Sequence, residues 1–214
     1  MRLRNLILWD MVFQVKYGFY LLYSGLTALY LILLSAMPIP WQNHAAAALI
    51  FSDPAAMGLF FMGAIVLLEK SQRVPFALAV SPVTAAQYVI AKVVSLCAIA
   101  LMAAAVLAGA AKVDNLLYTL TGTALAGAMF TLSSIIIATK INSLNQFMLW
   151  TVPVEAVVLA PALAHLFWGY PAAIRFWPPS ICMDMIAGNE TAPMGGSLLS
   201  FQLQGCLGLP ANVL

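Results

Sequence analysis

A chain of 214 residues with 64% hydrophobic and only 7% charged side chains cannot cover a water-soluble surface, and its mean hydropathy of +0.98 is that of a membrane protein. Its net charge of +2 does not suit nucleic acid. Three scattered cysteines and two isolated histidines, His44 and His165, offer neither a disulfide framework nor a metal site.

Residues 2–14, within the leading segment 1–16, can form an amphipathic helix. Leu3, Leu6, Ile7, Met11 and Phe13 share a broad apolar side, with Arg2, Arg4, Asp10 and Gln14 expected towards water. Two readings are open: a helix lying in the membrane interface, or a basic flank that only sets topology. The apolar run 17–37 is too long for a signal-peptide core and reads as a retained first span. A second run, 54–68, follows Ser52-Asp53-Pro54, where a side-chain acceptor precedes a proline at the first helical position, a helix-start signal. Runs 84–110, 116–139 and 144–168 complete five stretches of spanning length.

Segment 69–82 between the second and third runs starts charged and continues apolar. It suits either a short helix parallel to the membrane, with Phe76, Leu78 and Val80 offered to a partner, or a plain interfacial connector. The fourth run clusters Gly122, Ala126, Gly127, Ala128, Ser133 and Ser134, a pattern that lets helices approach closely in lipid. The fifth carries Pro153 and Pro161, which free backbone carbonyls. Prolines at 171, 178, 179 and 193 predict broken structure or short helices over 169–193, and residues 197–214 make a weak or truncated sixth span. The fold class is therefore all-α, a polytopic membrane protein forming one domain over 1–214.

Lysine and arginine orient it. With the N-terminus cytoplasmic, Arg2, Arg4, Lys16, Lys70, Arg73 and Lys140 lie inside, while Lys112 and Arg175 lie outside. Glu155 falls mid-span between two prolines, where a carboxylate costs about 2.5–3.5 kcal/mol to insert. Lys92 lies about two turns into the third run. Both are reached from the inner face at similar depth, which predicts a Lys92–Glu155 pair or shared polar pocket; the alternatives are a protonated Glu155 at a helix contact and a snorkelling Lys92. No catalytic constellation is visible. Without a GxxxxGK(S/T) loop to cradle phosphates, the chain has no ATP site of that kind.

Leu67-Leu68-Glu69-Lys70, then Ser81-Pro82, Tyr88 and Lys92, resemble the region around the second and third spans of type-2 ATP-binding-cassette (ABC) exporter permeases. Tyr17-Gly18-Phe19-Tyr20 and Phe51-Ser52-Asp53-Pro54 narrow the likeness to small bacterial drug-export permeases of the fluoroquinolone-export type, over about residues 5–170. The resemblance implies a permease homodimer in the plasma membrane, a multi-pass protein with no enzymatic activity of its own. Two separate ATPase subunits would bind ATP and Mg, and the cargo would be an amphipathic small molecule, as in multidrug efflux. It implies that 69–82 holds the coupling helix that docks on the ATPase, with Glu69, Lys70, Arg73, Phe76 and Leu78 as contacts. It also implies that 1–16 is an interfacial connecting helix and that 169–193 matches short outer helices. Glu155, Tyr23 and Tyr30 are then the expected substrate-path residues, with lipid contact the alternative for the tyrosines. The competing function is a membrane assembly or scaffold subunit that transports nothing.

Overall fold

The computed structural model describes residues 2–74, 76, 83–113, 115–168 and 177–188. Among them the chain is all helix, without strands. In order the helices are α1 (Arg2–Lys16), α2 (Phe19–Ala36), α3 (Ile39–Ser71), α4 (Ala85–Ala111), α5 (Leu116–Lys140), α6 (Leu144–Trp168) and α7 (Pro178–Ile186). Among the described residues, four segments are long and apolar enough to cross a membrane: α2, α4, α5 and Leu144–Phe167 of α6.

Local chemistry sets the breaks. Between α1 and α2 the chain turns at Gly18, whose φ of 76° is a left-handed conformation that glycine adopts without penalty. Pro38 precedes α3, and the Gln42 amide donates to the carbonyls of Leu34 and Met37, capping the end of α2. A capping box opens α4: the Gln87 amide N–H donates to Thr84 Oγ1, and the Thr84 N–H to Gln87 Oε1.

The expected helix start at Ser52-Asp53-Pro54 does not occur. The helix begins at Ile39 and runs 33 residues through Pro54 to Ser71. Ala45, Ala46, Ala47, Ile50 and Phe51 are all buried against other helices, so packing holds the upstream stretch helical. Proline is tolerated inside such a helix because neighbouring groups satisfy the backbone it frees. Likewise α6 continues through Pro153 and Pro161.

The centre of the bundle is α5, which packs on α3, α4, α6 and α7. Its small residues serve packing, as their spacing suggests. Gly127 faces Cys97 Sγ of α4, Ser134 donates to the Leu59 carbonyl of α3, and Gly122 lies against Cys182, Met185 and Ile186 of α7. Around them Phe51, Leu59, Leu107, Phe130, Met183 and Ile186 form the main core, with Phe51 and Phe130 meeting edge to face. A second cluster, Met62, Val66, Leu96, Ile135 and Phe147, lies further along α3. The segment 169–193 yields α7 within its described part; residues 169–176 and 189–214, including the expected sixth span, lie outside the described residues.

The Phe147 ring of α6 lies directly over Gly63 of α3. A Cβ placed on Gly63 would sit 1.8 Å from Phe147 Cζ, and the Phe147 ring is itself fully buried. Gly63→Ala must therefore push the two helices apart, at a cost of about 1–3 kcal/mol. The expected result is a lower melting temperature in detergent; Phe147→Ala alone costs about 3–5 kcal/mol, and the double variant should lose less than the two single losses added together. An unchanged melting curve for Gly63→Ala would disprove this contact.

Candidate functional site

A cluster of charged and polar side chains lies at one end of the bundle, where α3 leaves and α4 begins. Tyr88, Lys92 and Ser95 recur at helical spacing along one face of α4. Asp10 and Gln14 do the same on α1. Glu69 comes from the last turn of α3. All but Tyr88 are buried, and they bond one another.

Lys92 is the hub. Its ammonium makes ion pairs with Asp10 and with Glu69 Oε1, the latter at 2.6 Å. Asp10 accepts further from Ser95 Oγ and, at 3.0 Å, from Gln14 Nε2. Gln14 also donates to Ser95 Oγ at 2.9 Å, and the Tyr88 hydroxyl donates to Glu69. Phe13 and Tyr88 place ring faces 5.7 and 5.6 Å from the ammonium. Three helices are thus tied by two carboxylates sharing one cation. Each charge is hydrogen-bonded, the condition on which a buried ion pair recovers its desolvation cost.

This arrangement corrects two expectations. Lys92 does not pair with Glu155. Glu155 sits half-buried on α6, a helix that closes the other side of α3, and no ion pair among the described residues reaches it. On α1, Leu3, Leu6, Ile7, Met11 and Phe13 are half-buried and Arg4 is exposed, but two of the polar residues expected towards water are not there. Asp10 and Gln14 point inward, while Leu8, Trp9, Val12 and Val15 are exposed, Trp9 by 73%. Inside a bilayer that order is favourable, because polar side chains find partners only within the protein.

The neighbouring Lys70 faces the other way. Its ammonium is held by the carbonyls of Ala138 (3.1 Å), Thr139 (3.0 Å) and Ile141 (2.9 Å) and by Asn142 Oδ1 (3.3 Å). Ala138 and Thr139 carry free carbonyls of the last turn of α5, and Ile141 and Asn142 follow directly after it, where the helix dipole favours a cation. Of the expected ATPase contacts, then, Glu69 and Lys70 are turned into the bundle. Arg73 and Phe76 remain outward: Arg73 is exposed at a left-handed φ of 58°, and Phe76 is 74% exposed. Leu78 lies outside the described residues, as do 75, 77 and 79–82.

Tyr23 is buried on α2, its ring 5.8 Å from that of Phe61. With Tyr20, Ser24, Thr27 and Met102 it lines a groove of about 390 Å³ between α2 and α4. Tyr30 packs at the edge of the main core. At the opposite end of the bundle, His165 Nε2 lies 3.2 Å from Asp184 Oδ2, joining α6 to α7. Burial pushes the nearby Cys182 thiol up to about 12, which keeps it protonated and unreactive near neutral pH. No group of three or more His, Cys, Asp or Glu among the described residues could hold a metal.

Removing the shared cation should be costly. Lys92→Met leaves Asp10 and Glu69 buried without their counter-charge, a loss of about 3–5 kcal/mol. The expected readout is a sharp fall in heat-resistant folded protein. The neutral combination Lys92→Met with Asp10→Asn and Glu69→Gln should recover most of it. Full heat resistance in Lys92→Met alone would show that the cluster does not hold these helices.

No protein-family model matches the chain. It is similar to the fluoroquinolones export permease protein of Mycobacterium tuberculosis, in the strains CDC 1551 / Oshkosh and ATCC 25618 / H37Rv. In each comparison identity is 27% over 175 residues, spanning 80% of this chain and 73% of the relative.

Proposed function

We propose that this chain is the membrane-spanning permease subunit of an ATP-driven ABC exporter of the type-2 class, moving an amphipathic, drug-like small molecule out of a bacterial cell. The observation that carries the reading is the similarity, over 80% of the chain, to relatives named as export permeases. Four helices of spanning length and composition fit it.

In this reading the whole of 1–214 is one permease domain. α3 is a fifth span, and the N-terminus is cytoplasmic in the plasma membrane. That orientation puts Arg4, Lys16, Lys70, Arg73 and Lys140 on the side where basic residues concentrate. The segment after α3 docks on the ATPase. Phe76 supplies an exposed apolar anchor and Arg73 an exposed cation, residue types enriched at protein interfaces. Two copies of the chain flank the route, and two ATPase subunits bind ATP and Mg and supply the work. Closure of the ATPases displaces the docked segment, and the helices it joins re-pack between inward- and outward-open states. Tyr23, Tyr30 and Glu155 are the substrate-path residues of this reading. The chain performs no chemistry of its own.

Two measurements test it. First, affinity purification from native membranes should bring down an ATPase. Phe76→Ala and Arg73→Glu should each weaken that association about tenfold, equivalent to ~1.4 kcal/mol at an interface anchor, with membrane levels unchanged. Normal association and normal drug-stimulated ATP hydrolysis in both variants would exclude docking here. Second, Glu155→Gln should alter export of a fluorescent amphipathic substrate from loaded vesicles while the protein still inserts. Unaltered export would remove Glu155 from the route.

A further inference from the structure

Two adjacent residues at the end of α3 hold the helix in opposite directions. Glu69 is bonded to Lys92 and Tyr88 of α4, and through Lys92 to Asp10 of α1. Lys70 is bonded to the last carbonyls of α5 and to Asn142, in the turn leading into α6. Beyond them the chain leaves the helix within three residues, at the left-handed Arg73. The segment starting there cannot shift without loading this joint.

We infer that the Glu69–Lys70 dipeptide is a two-way anchor, a pair of positioning residues that divides one displacement at the end of α3 between α1–α4 and the α5–α6 turn. The two linkages differ in kind. The Glu69 side is a buried network of charged groups, which holds or releases as a unit because a half-satisfied buried network is worse than either whole state. The Lys70 side is a single flexible stem whose ammonium rests among four oxygens at 2.9–3.3 Å. It can follow the α5 terminus through small excursions without losing every bond. Glu69 therefore switches and Lys70 tracks. The anchor is a property of this chain's geometry; only the identity of what pulls on it, a nucleotide-driven partner, rests on the exporter reading.

The test uses the full chain in lipid nanodiscs, with its native cysteines replaced and spin labels at exposed positions. One label pair joins Arg73 to Ser143, across the Lys70 link, and another joins Arg73 to Val15, across the Glu69 link. Lys70→Met should broaden the first distance distribution and leave the second narrow. Glu69→Ala, which leaves Lys92 paired with Asp10, should do the reverse. If neither distribution changes, or if each variant broadens both alike, the two-way anchor is wrong. Should Lys70→Met not reach the membrane, Asn142→Ala, which removes one oxygen of the cradle, is held to the same pattern. With an ATPase bound, either variant should lower substrate exported per ATP hydrolysed about fivefold, within the range by which residues remote from a ligand modulate coupling. Unaltered coupling alongside selective broadening would confine the anchor to the resting state and overturn its role in transmission. Absence of any ATPase would refute the exporter reading while leaving the distance result to stand by itself.

Discussion

The sharing of the Lys92 ammonium between Asp10 and Glu69 is the constraint from which much of this architecture follows. Lysine in a low-dielectric interior needs hydrogen-bonding anions at close range, or its burial is prohibitive. Neither carboxylate belongs to the helix that carries the lysine, so α1 and α3 must converge on the first turns of α4. That convergence fixes which face of α1 looks inward. Asp10 and Gln14 occupy it, and Leu8, Trp9, Val12 and Val15 are left outside by geometry. In water such an outward display would be a liability; against acyl chains it costs nothing.

Packing elsewhere follows a different rule. Apolar side chains gain little by leaving lipid for the protein interior, so contact area alone cannot drive helices together. Close approach can, through dispersion and polar bonds over a tight surface. Gly122, Gly127 and Ser134 on α5, and Gly63 on α3, are where backbones or small groups let a neighbour come near. The arrangement has a polar joint at one end and a small-residue seam through the middle. A second polar contact, His165 with Asp184, lies at the far end.

The run lengths and the small-residue stripe were legible in the amino-acid sequence because both are one-dimensional signals. The helices follow the apolar runs closely in α2, α4, α5 and α6, and the stripe of α5 faces three neighbours. The polar partners were not legible. Depth in the bilayer suggested Glu155 for Lys92, but depth says nothing of the direction in which a side chain faces. A usable signal was present. Tyr88, Lys92 and Ser95 fall on one face of an otherwise apolar helix, and Asp10 and Gln14 on one face of another, so each stripe called for a polar partner within the protein. Reading Asp10 as water-facing came from treating α1 as a surface helix. The start of α3 was missed for a related reason. Ser52-Asp53-Pro54 carries the chemistry of a helix start in water, but tertiary burial of the preceding alanines overrides it.

Why a charged joint should stand at the end of α3, when apolar packing would bind as well, has a physical answer. An apolar contact weakens gradually as surfaces slide, because area is lost a little at a time. A buried ion cluster is intolerant of partial separation: once Glu69 draws away, its carboxylate loses Lys92 and Tyr88 together, and the Lys92 ammonium keeps only Asp10, in a medium that does not solvate them. Such a contact contributes modest stability but defines its geometry sharply, and its loss is close to all-or-none. Packed interiors likewise pass between discrete arrangements more readily than they deform. A helix end that must pass a displacement to several neighbours, without dissipating it in elastic bending, is well served by that behaviour. Glu69, Lys92 and Asp10 give the end of α3 this property, and Lys70 keeps it attached to α5 while the cluster changes state.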